Sequence, residues 1–260
     1  MTVLAAVRTG PLARINPVAK LGASLIIAAV LLLSIDWVSA LVALVAELVL
    51  LCFARLPLRT LWLRTLPVLI AAPLTGLTTL LYGRTSGTVY WHWLFVEISD
   101  GSIALAIATA LRVLAIGLPA VLLFLTIDPT DLADGLAQVL HLPARFVLGG
   151  LAGLRLVGLF IDDWRALSLA RRARGVADRG RIRRLLGQAF ALFVLSIRRG
   201  SKLATAMEAR GFGTEHRRTW ARPSAFAGRD WVVLALGAAV GVLAVAVSLY
   251  TGDWNFVVRS

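Results

Sequence analysis

The side chains able to do chemistry are few and scattered in these 260 residues. His92, His141 and His216 are nowhere paired at metal-ligand spacing, and Cys52 is the single cysteine, so no disulfide framework or thiolate metal site can be built within the chain. Asp162 and Asp163 are the only adjacent acidic pair; with no second acidic cluster to share a metal ion, they read as a polar patch on a helix. A glycine-rich phosphate loop and a nucleophile elbow are both missing from the sequence. Neither an enzyme nor a metal site is expected, and stability must come from packing.

What does recur is arginine at a fixed place in a motif. Ala170-Arg171-Arg172-Ala173-Arg174-Gly175 and, 36 residues later, Ala206-Met207-Glu208-Ala209-Arg210-Gly211 share the pattern A-x-x-A-R-G. Glycine after a helical run can take the left-handed cap, and arginine suits the negative end of the helix dipole. A guanidinium there presents a planar fork of donors to a carboxylate or carbonyl-lined groove. A solvated arginine on a capped helix needs no function, and that reading stands beside the first. The alanines three residues apart add a small-residue stripe on which two long helices could cross closely.

The elements that must position these motifs are set by hydropathy. With 59% hydrophobic residues, 16% charged residues and a mean hydropathy of +0.83, the composition excludes an ordinary soluble domain. Apolar runs cover Leu21 to Ile35, Val38 to Phe53, Leu66 to Tyr82, Ile103 to Ile127 and Trp231 to Tyr250, which predicts five spans. The first two are shorter than the roughly 20 residues a bilayer core requires, but Lys20 and Arg55 could snorkel. Asp36-Trp37 is expected at the hairpin tip, because one tilted helix through both runs would bury Asp36 at about 2.5 to 3.5 kcal/mol or more. Arg8, Arg14 and Lys20, with Pro11 and Pro17 between them, leave no apolar stretch for a cleavable signal peptide, so the N-terminus is expected to be retained.

Orientation follows from the net charge of +13 and its distribution. Arg8, Arg14 and Lys20 precede the first span, Arg55, Arg59 and Arg64 lie between the second and third, and eighteen basic residues lie between Ile127 and Trp231. The opposite side holds only Arg84 and Arg259. A cytoplasmic N-terminus, an external C-terminus and an external aromatic loop or short hairpin from Thr85 to Asp100 are expected.

Three domains are predicted: residues 1–127 with four spans, residues 128–230 as a cytosolic module, and residues 231–260 with the last span. In the module, Asp128-Pro129 with Asp131 starts one helix, Pro143 begins a second that Gly175 ends, and a third runs from about Ile182 to Arg210. Leu186, Phe190, Phe193 and Ile197 recur on it at helical spacing.

Nearly the whole chain resembles the T components of energy-coupling-factor (ECF) transporters, a class of ABC transporters of the cobalt, biotin and vitamin type. Asn16-Pro17-Val18-Ala19-Lys20-Leu21 is similar to that family's D-P-x-x-K-L start of the first span, with Asn for the usual Asp. Thr126 to Asp131, Leu142-Pro143 and the two A-R-G helix ends match its cytosolic module in order and spacing, the second most fully through Ala206, Glu208, Ala209, Arg210, Gly211, Phe212 and Gly213. The resemblance implies an all-α polytopic membrane bundle of about five transmembrane helices with long crossing coupling helices. It further implies two partner ATP-binding-cassette ATPases that hold the ATP and Mg, and a membrane S component that binds the vitamin or metal ion. Cofactors in this chain and nucleic-acid partners are not implied; membrane lipid is. Ala170, Ala173, Arg174, Gly175, Ala206, Glu208, Ala209, Arg210 and Gly211 become the ATPase-coupling residues, with Arg174 and Arg210 central, and Arg171 and Arg172 are expected to be solvated neighbours.

The principal rival is a secondary transporter or channel with a basic cytosolic regulatory domain, which would want charges at the midplane and broken helices. Only Glu47 and Arg112 sit deep in apolar runs, and they could pair with one another to reduce the burial cost, a structural role as easily as a transport one. A membrane enzyme lacks a catalytic constellation, and a nucleic-acid-binding tail does not fit long helices with apolar faces.

Overall fold

A computed structural model of the chain describes residues 14–54, 58–83, 86–93, 96–175, 180–212 and 219–253. Gly213 and His216, with Arg8, Arg55, Arg84 and Arg259, lie outside the described residues. The elements are α1 (Pro17–Leu32), α2 (Trp37–Ala54), α3 (Leu58–Tyr82), β1 (Val89–Trp93), β2 (Val96–Ser99), α4 (Asp100–Thr126), α5 (Pro129–Gln138), α6 (Ala144–Ala173), α7 (Arg181–Ala209) and α8 (Gly228–Thr251). The fold is an all-α membrane helical bundle. Its α1, α2, α3, α4 and α8 correspond to the five apolar runs, and β1 pairs antiparallel with β2 as the short hairpin before α4.

The chain forms two compact units, one of residues Leu136–Pro223 and one joining Thr2–Gly135 to Ser224–Ser260. Packing around α5 is close: a Cβ on Gly135 would lie 2.7 Å from Val18 Cγ2 and 3.2 Å from Asn16 Oδ1, so most of α5 stays with the larger unit.

In the larger unit the core joins Ile27 and Leu31 of α1, Ala43 and Leu44 of α2, Ala115 of α4, and Val240 and Ala244 of α8. Small residues set the closest approaches. A Cβ on Gly237 would meet Ala23 Cα and Cβ at 2.9 Å, and one on Gly241 would meet Val30 Cγ2 at 3.1 Å. Gly237 and Gly241 are four apart on α8, the G-x-x-x-G spacing that lets helix backbones approach in an apolar solvent. The α3 and α4 pair uses the same device: a Cβ on Gly76 would sit 3.1 Å from the Ala106 carbonyl oxygen. Pro67 and Pro73 lie inside α3, where Thr65 and Thr75 hydroxyls donate to preceding carbonyls. Leu25, Val45, Leu63, Ile70, Leu74 and Val242 are exposed, an outer surface suited to lipid.

The hairpin tip falls where the sequence puts it. Asp36 caps α2, accepting from the Ser39 amide at 2.6 Å and the Ser39 hydroxyl at 2.8 Å, and it also accepts from Ser34. Ser248 of α8 donates to it at 2.7 Å, so the α1 and α2 hairpin is pinned to the last span. Asp36 is only 4% exposed. Burial alone would raise its pKa, but these donors together hold it below its ordinary value.

In the smaller unit, α6 and α7 are long helices of 30 and 29 residues. Among the described residues, four helical segments are long and apolar enough to cross a membrane: Leu61–Tyr82, Asp100–Leu123, Ala144–Ala173 and Gly228–Thr251. By length and composition alone, α6 is among them, although the sequence analysis assigned it to the cytosolic module. Its first eighteen residues carry only Arg145 and Arg155 as charges, and none of its residues is buried. On α7, Leu186, Phe190, Phe193 and Ile197 are all exposed.

Candidate functional site

Both A-R-G sequences end their helices as the glycines require. Arg174 and Arg210 occupy the C-cap positions, followed by Gly175 at φ +67° and Gly211 at φ +76°. After α7 the Phe212 amide donates to the Met207 carbonyl and the Gly211 amide to the Glu208 carbonyl, both at 2.9 Å, which is the full Schellman pairing. After α6 the Gly175 amide donates to the Arg172 carbonyl at 3.0 Å, the matching inner bond. Each arginine is thus held on a rigid, hydrogen-bonded helix end, and both are exposed.

The packing of α6 and α7 decides where these ends point. Asp163 of α6 pairs with Arg199 of α7, with Nη2 donating to Oδ1 at 2.9 Å. Further along α6, the Arg171 guanidinium lies against Gly187, where an added Cβ would be 3.1 Å from Nη2. A later residue of α6 therefore meets an earlier residue of α7, so the two helices run in opposite senses. Arg174 lies eleven residues beyond Asp163, and Arg210 eleven beyond Arg199. At 1.5 Å per residue each arginine sits about 16 Å from the pair, in opposite directions. The 36-residue repeat therefore places two equivalent arginine ends on either side of a central ion pair.

Two details depart from the sequence reading. Asp163 is not part of a free acidic patch but holds the helix pair, and Arg171 is engaged with α7, which leaves Arg172 as the solvated neighbour. Ala170, Ala173, Ala206 and Ala209 are exposed, as is Glu208. Ala206 borders a groove of about 550 Å³ between α6 and α7, lined also by Leu148, Ala152, Leu156 and Leu203.

The first-span motif builds a second constellation in the larger unit. Asn16 caps α1 by accepting from the Val18 amide at 3.0 Å, with Pro17 at the first helical position. Its amide nitrogen donates to Ser224 Oγ at 3.0 Å and to the Ala225 carbonyl at 3.2 Å. Its backbone N–H donates to Asp230 Oδ1 at 2.7 Å, while Asp230 Oδ2 accepts from the Ala227 amide at 2.7 Å. Lys20 does not snorkel. It is 8% exposed, and its Nζ donates to the Thr126 carbonyl at 3.3 Å and hydroxyl at 3.4 Å, with the charges of Asp131 and Asp230 acting on it. Sequence reasoning missed Asp230; its position in the first turn of the last apolar helix was the available signal.

Glu47 and Arg112 do not pair. Both carboxylate oxygens of Glu47, and Nε and Nη2 of Arg112, are buried without a hydrogen-bond partner, and the acidic group acting on Arg112 is Asp36. Helix spacing along apolar runs cannot show which faces two residues take, so the pairing was not decidable from sequence. Glu47 borders a cavity of about 160 Å³ with Lys20, Ile27, Leu51, Pro119 and Val233.

Comparison with known proteins bears on the chain as a whole. Residues 9–220 match the family CbiQ, described as cobalt transport protein. The energy-coupling factor transporter transmembrane protein EcfT of Limosilactobacillus fermentum is 30% identical over 202 residues, covering 73% of this chain and 75% of its own. EcfT of Lacticaseibacillus paracasei is 30% identical over 233 residues, 84% and 87% of the two chains, and EcfT of Exiguobacterium sibiricum is 28% identical over 204. With a multi-pass helical bundle and both arginine-tipped helices in place, the chain belongs to the CbiQ family and is a transmembrane T component of ECF transporters.

Proposed function

We propose that this chain couples ATP hydrolysis by two partner ATP-binding-cassette subunits to uptake of a vitamin or metal ion captured by an S component. The observation that carries this is the disposition of Arg174 and Arg210, two exposed guanidinium groups on capped helix ends at matched distances from the Asp163 and Arg199 pair. Two equivalent anchors suit a partner with two equivalent grooves. The chain itself is non-catalytic, and ATP and Mg belong to the partners. The N-terminus and the Leu136–Pro223 unit face the cytoplasm, following the basic residues, and the C-terminus is external. In this reading α6 lies along the membrane surface. A crossing α6 would draw the middle of α7, with Arg198, Arg199 and Lys202, toward hydrocarbon at several kcal/mol.

The test is the pair Arg174→Ala and Arg210→Ala. Each anchor buried on docking would leave its partner group unpaired, at about 2 to 5 kcal/mol, or roughly thirty-fold to a few thousand-fold in affinity. Arg172→Ala is the control, at under about 1 kcal/mol. The double variant should insert normally yet lose ATPase recruitment and uptake. Wild-type uptake by the double variant would reduce the arginines to helix caps. The rival reading, a secondary transporter, draws on the buried Glu47 carboxyl and its cavity; a stoichiometric solute retained by the isolated chain would favour it.

A further inference from the structure

The Leu136–Pro223 unit is joined to the larger unit by two strands of chain, leaving at Gly135 and returning at Ser224. Within the larger unit, the segments next to both junctions are fastened to one short stretch, residues 16 to 20. On the outgoing side, Lys20 grips the last residue of α4 through the Thr126 carbonyl and hydroxyl, and Gly135 sits against Val18 and Asn16 too closely for any side chain. On the returning side, Asn16 donates to Ser224 and Ala225 and, through its backbone N–H, to Asp230. Asn16, Lys20 and Asp230 are 8%, 8% and 1% exposed, so their polar atoms are shielded from water and losing a bond leaves them orphaned.

We propose that Asn16, Lys20 and Asp230 form a clamp that gathers the outgoing and returning strands onto the first turn of α1, so that displacement of the Leu136–Pro223 unit is delivered to α1 and α8 together. A load carried by that unit reaches the membrane helices along the chain through these two strands. If they were held independently, the load would be absorbed by bending of residues 126–135 and 224–230. Fastened to one turn, they move as one body with α1. The clamp residues are positioning residues, and the coupling role assigned to them rests on the function proposed above.

The side chain of Asn16 separates this role from ordinary helix capping. Its Oδ1 caps Val18, whereas its Nδ2 makes the donations to Ser224 and Ala225. Asn16→Ser keeps a capping oxygen at the start of α1 but is shorter and has no Nδ2, so the donations to Ser224 and Ala225 are both lost. Lys20→Met keeps the length of the stem and removes the grip on Thr126.

The experiment has two arms. In the isolated chain, hydrogen exchange of the Ala227 amide and its neighbours in residues 224–230 should be about tenfold faster in Asn16→Ser than in wild type, with α3 unaffected. Unchanged exchange would overturn the clamp whatever the partners do. In the assembled transporter, Asn16→Ser and Lys20→Met should copurify the ATPase subunits as wild type does, while substrate taken up per ATP hydrolysed falls about tenfold. Loss of ATPase recruitment, or wild-type uptake per ATP, would overturn the positioning role. If no ATPase assembles with the wild-type chain, the proposed function fails, and the exchange arm still decides the clamp.

Discussion

Asp163 and Arg199 are 36 residues apart in sequence and joined side chain to side chain in space, the same interval that separates Arg174 from Arg210. The ion pair thus links corresponding heights on the two long helices and serves as the fixed point from which both arginine ends extend. With side chains 18% and 36% exposed, the pair is partly shielded from solvent, and its two contacts approach a bidentate geometry. Asp163→Asn and Arg199→Gln should each loosen α6 against α7. A double-mutant cycle on thermal stability should return a coupling of about 1 kcal/mol. Additive effects would show that the pair does not fix the crossing.

The Asp36 carboxyl gives a pH dependence with a definite sign. Its folded-state pKa is below the ordinary 3.8, so its contribution to stability is complete above that value and is lost as pH falls through the depressed one. The melting temperature attributable to this site should be flat from neutral pH down to mildly acidic conditions and fall only below about pH 3.8. Ser248→Ala removes one donor to the charged group. It should lower stability at neutral pH by about 1.5 to 3 kcal/mol and shift the acid transition upward. Thermal melts of the two proteins across pH check both.

Glu47 is a buried carboxyl with no hydrogen-bond partner beside an apolar cavity, so it is a cost to the fold. Glu47→Leu should raise stability by about 1 to 3 kcal/mol, since it relieves the desolvated group and fills space. Lys20→Met, by contrast, removes hydrogen bonds already made and should lower it. If Glu47→Leu destabilises the chain, the carboxyl has a partner in the membrane, and solute binding by the isolated chain becomes the next measurement.

Orientation is checked by labelling. A cysteine at Ser86, ahead of β1, should react with an impermeant thiol reagent applied to sealed cells, and one at Ser201 on α7 should not. Cys52 must be replaced first, because it is exposed and would add signal of its own. Reaction at Ser201 would reverse the topology and remove Arg174 and Arg210 from any cytosolic partner.

Much of the molecule was legible in the residues. Hydropathy gave the apolar helices of the bundle, α1, α2, α3, α4 and α8, because an apolar run is a one-dimensional property of the chain. Of these, only α3, α4 and α8 are long enough to cross a membrane among the described residues, and α6 joins them. Asp36 marked the tip and Asp128-Pro129 the start of α5; Gly175 and Gly211 marked the stops of α6 and α7. Each of these acts through its own backbone or within a few residues of it. The close approach at Gly237 and Gly241 came from the fold, which brings Ala23 and Val30 of α1 against them.

What the tertiary structure alone decided are the partnerships across long stretches of chain. Arg171 and Arg172 are indistinguishable in sequence, yet a helix turn of 100° sends one against Gly187 and leaves the other in solvent. Glu47 and Arg112 looked like a pair because both are rare charges in apolar runs, but their helices present them to different neighbours. Asn16 and Asp230, 214 residues apart, meet because α1 and α8 pack side by side. Composition and local spacing determine which segments are helical and where they stop. Which face meets which is set by the packing of all the helices at once, and no single segment of sequence contains it.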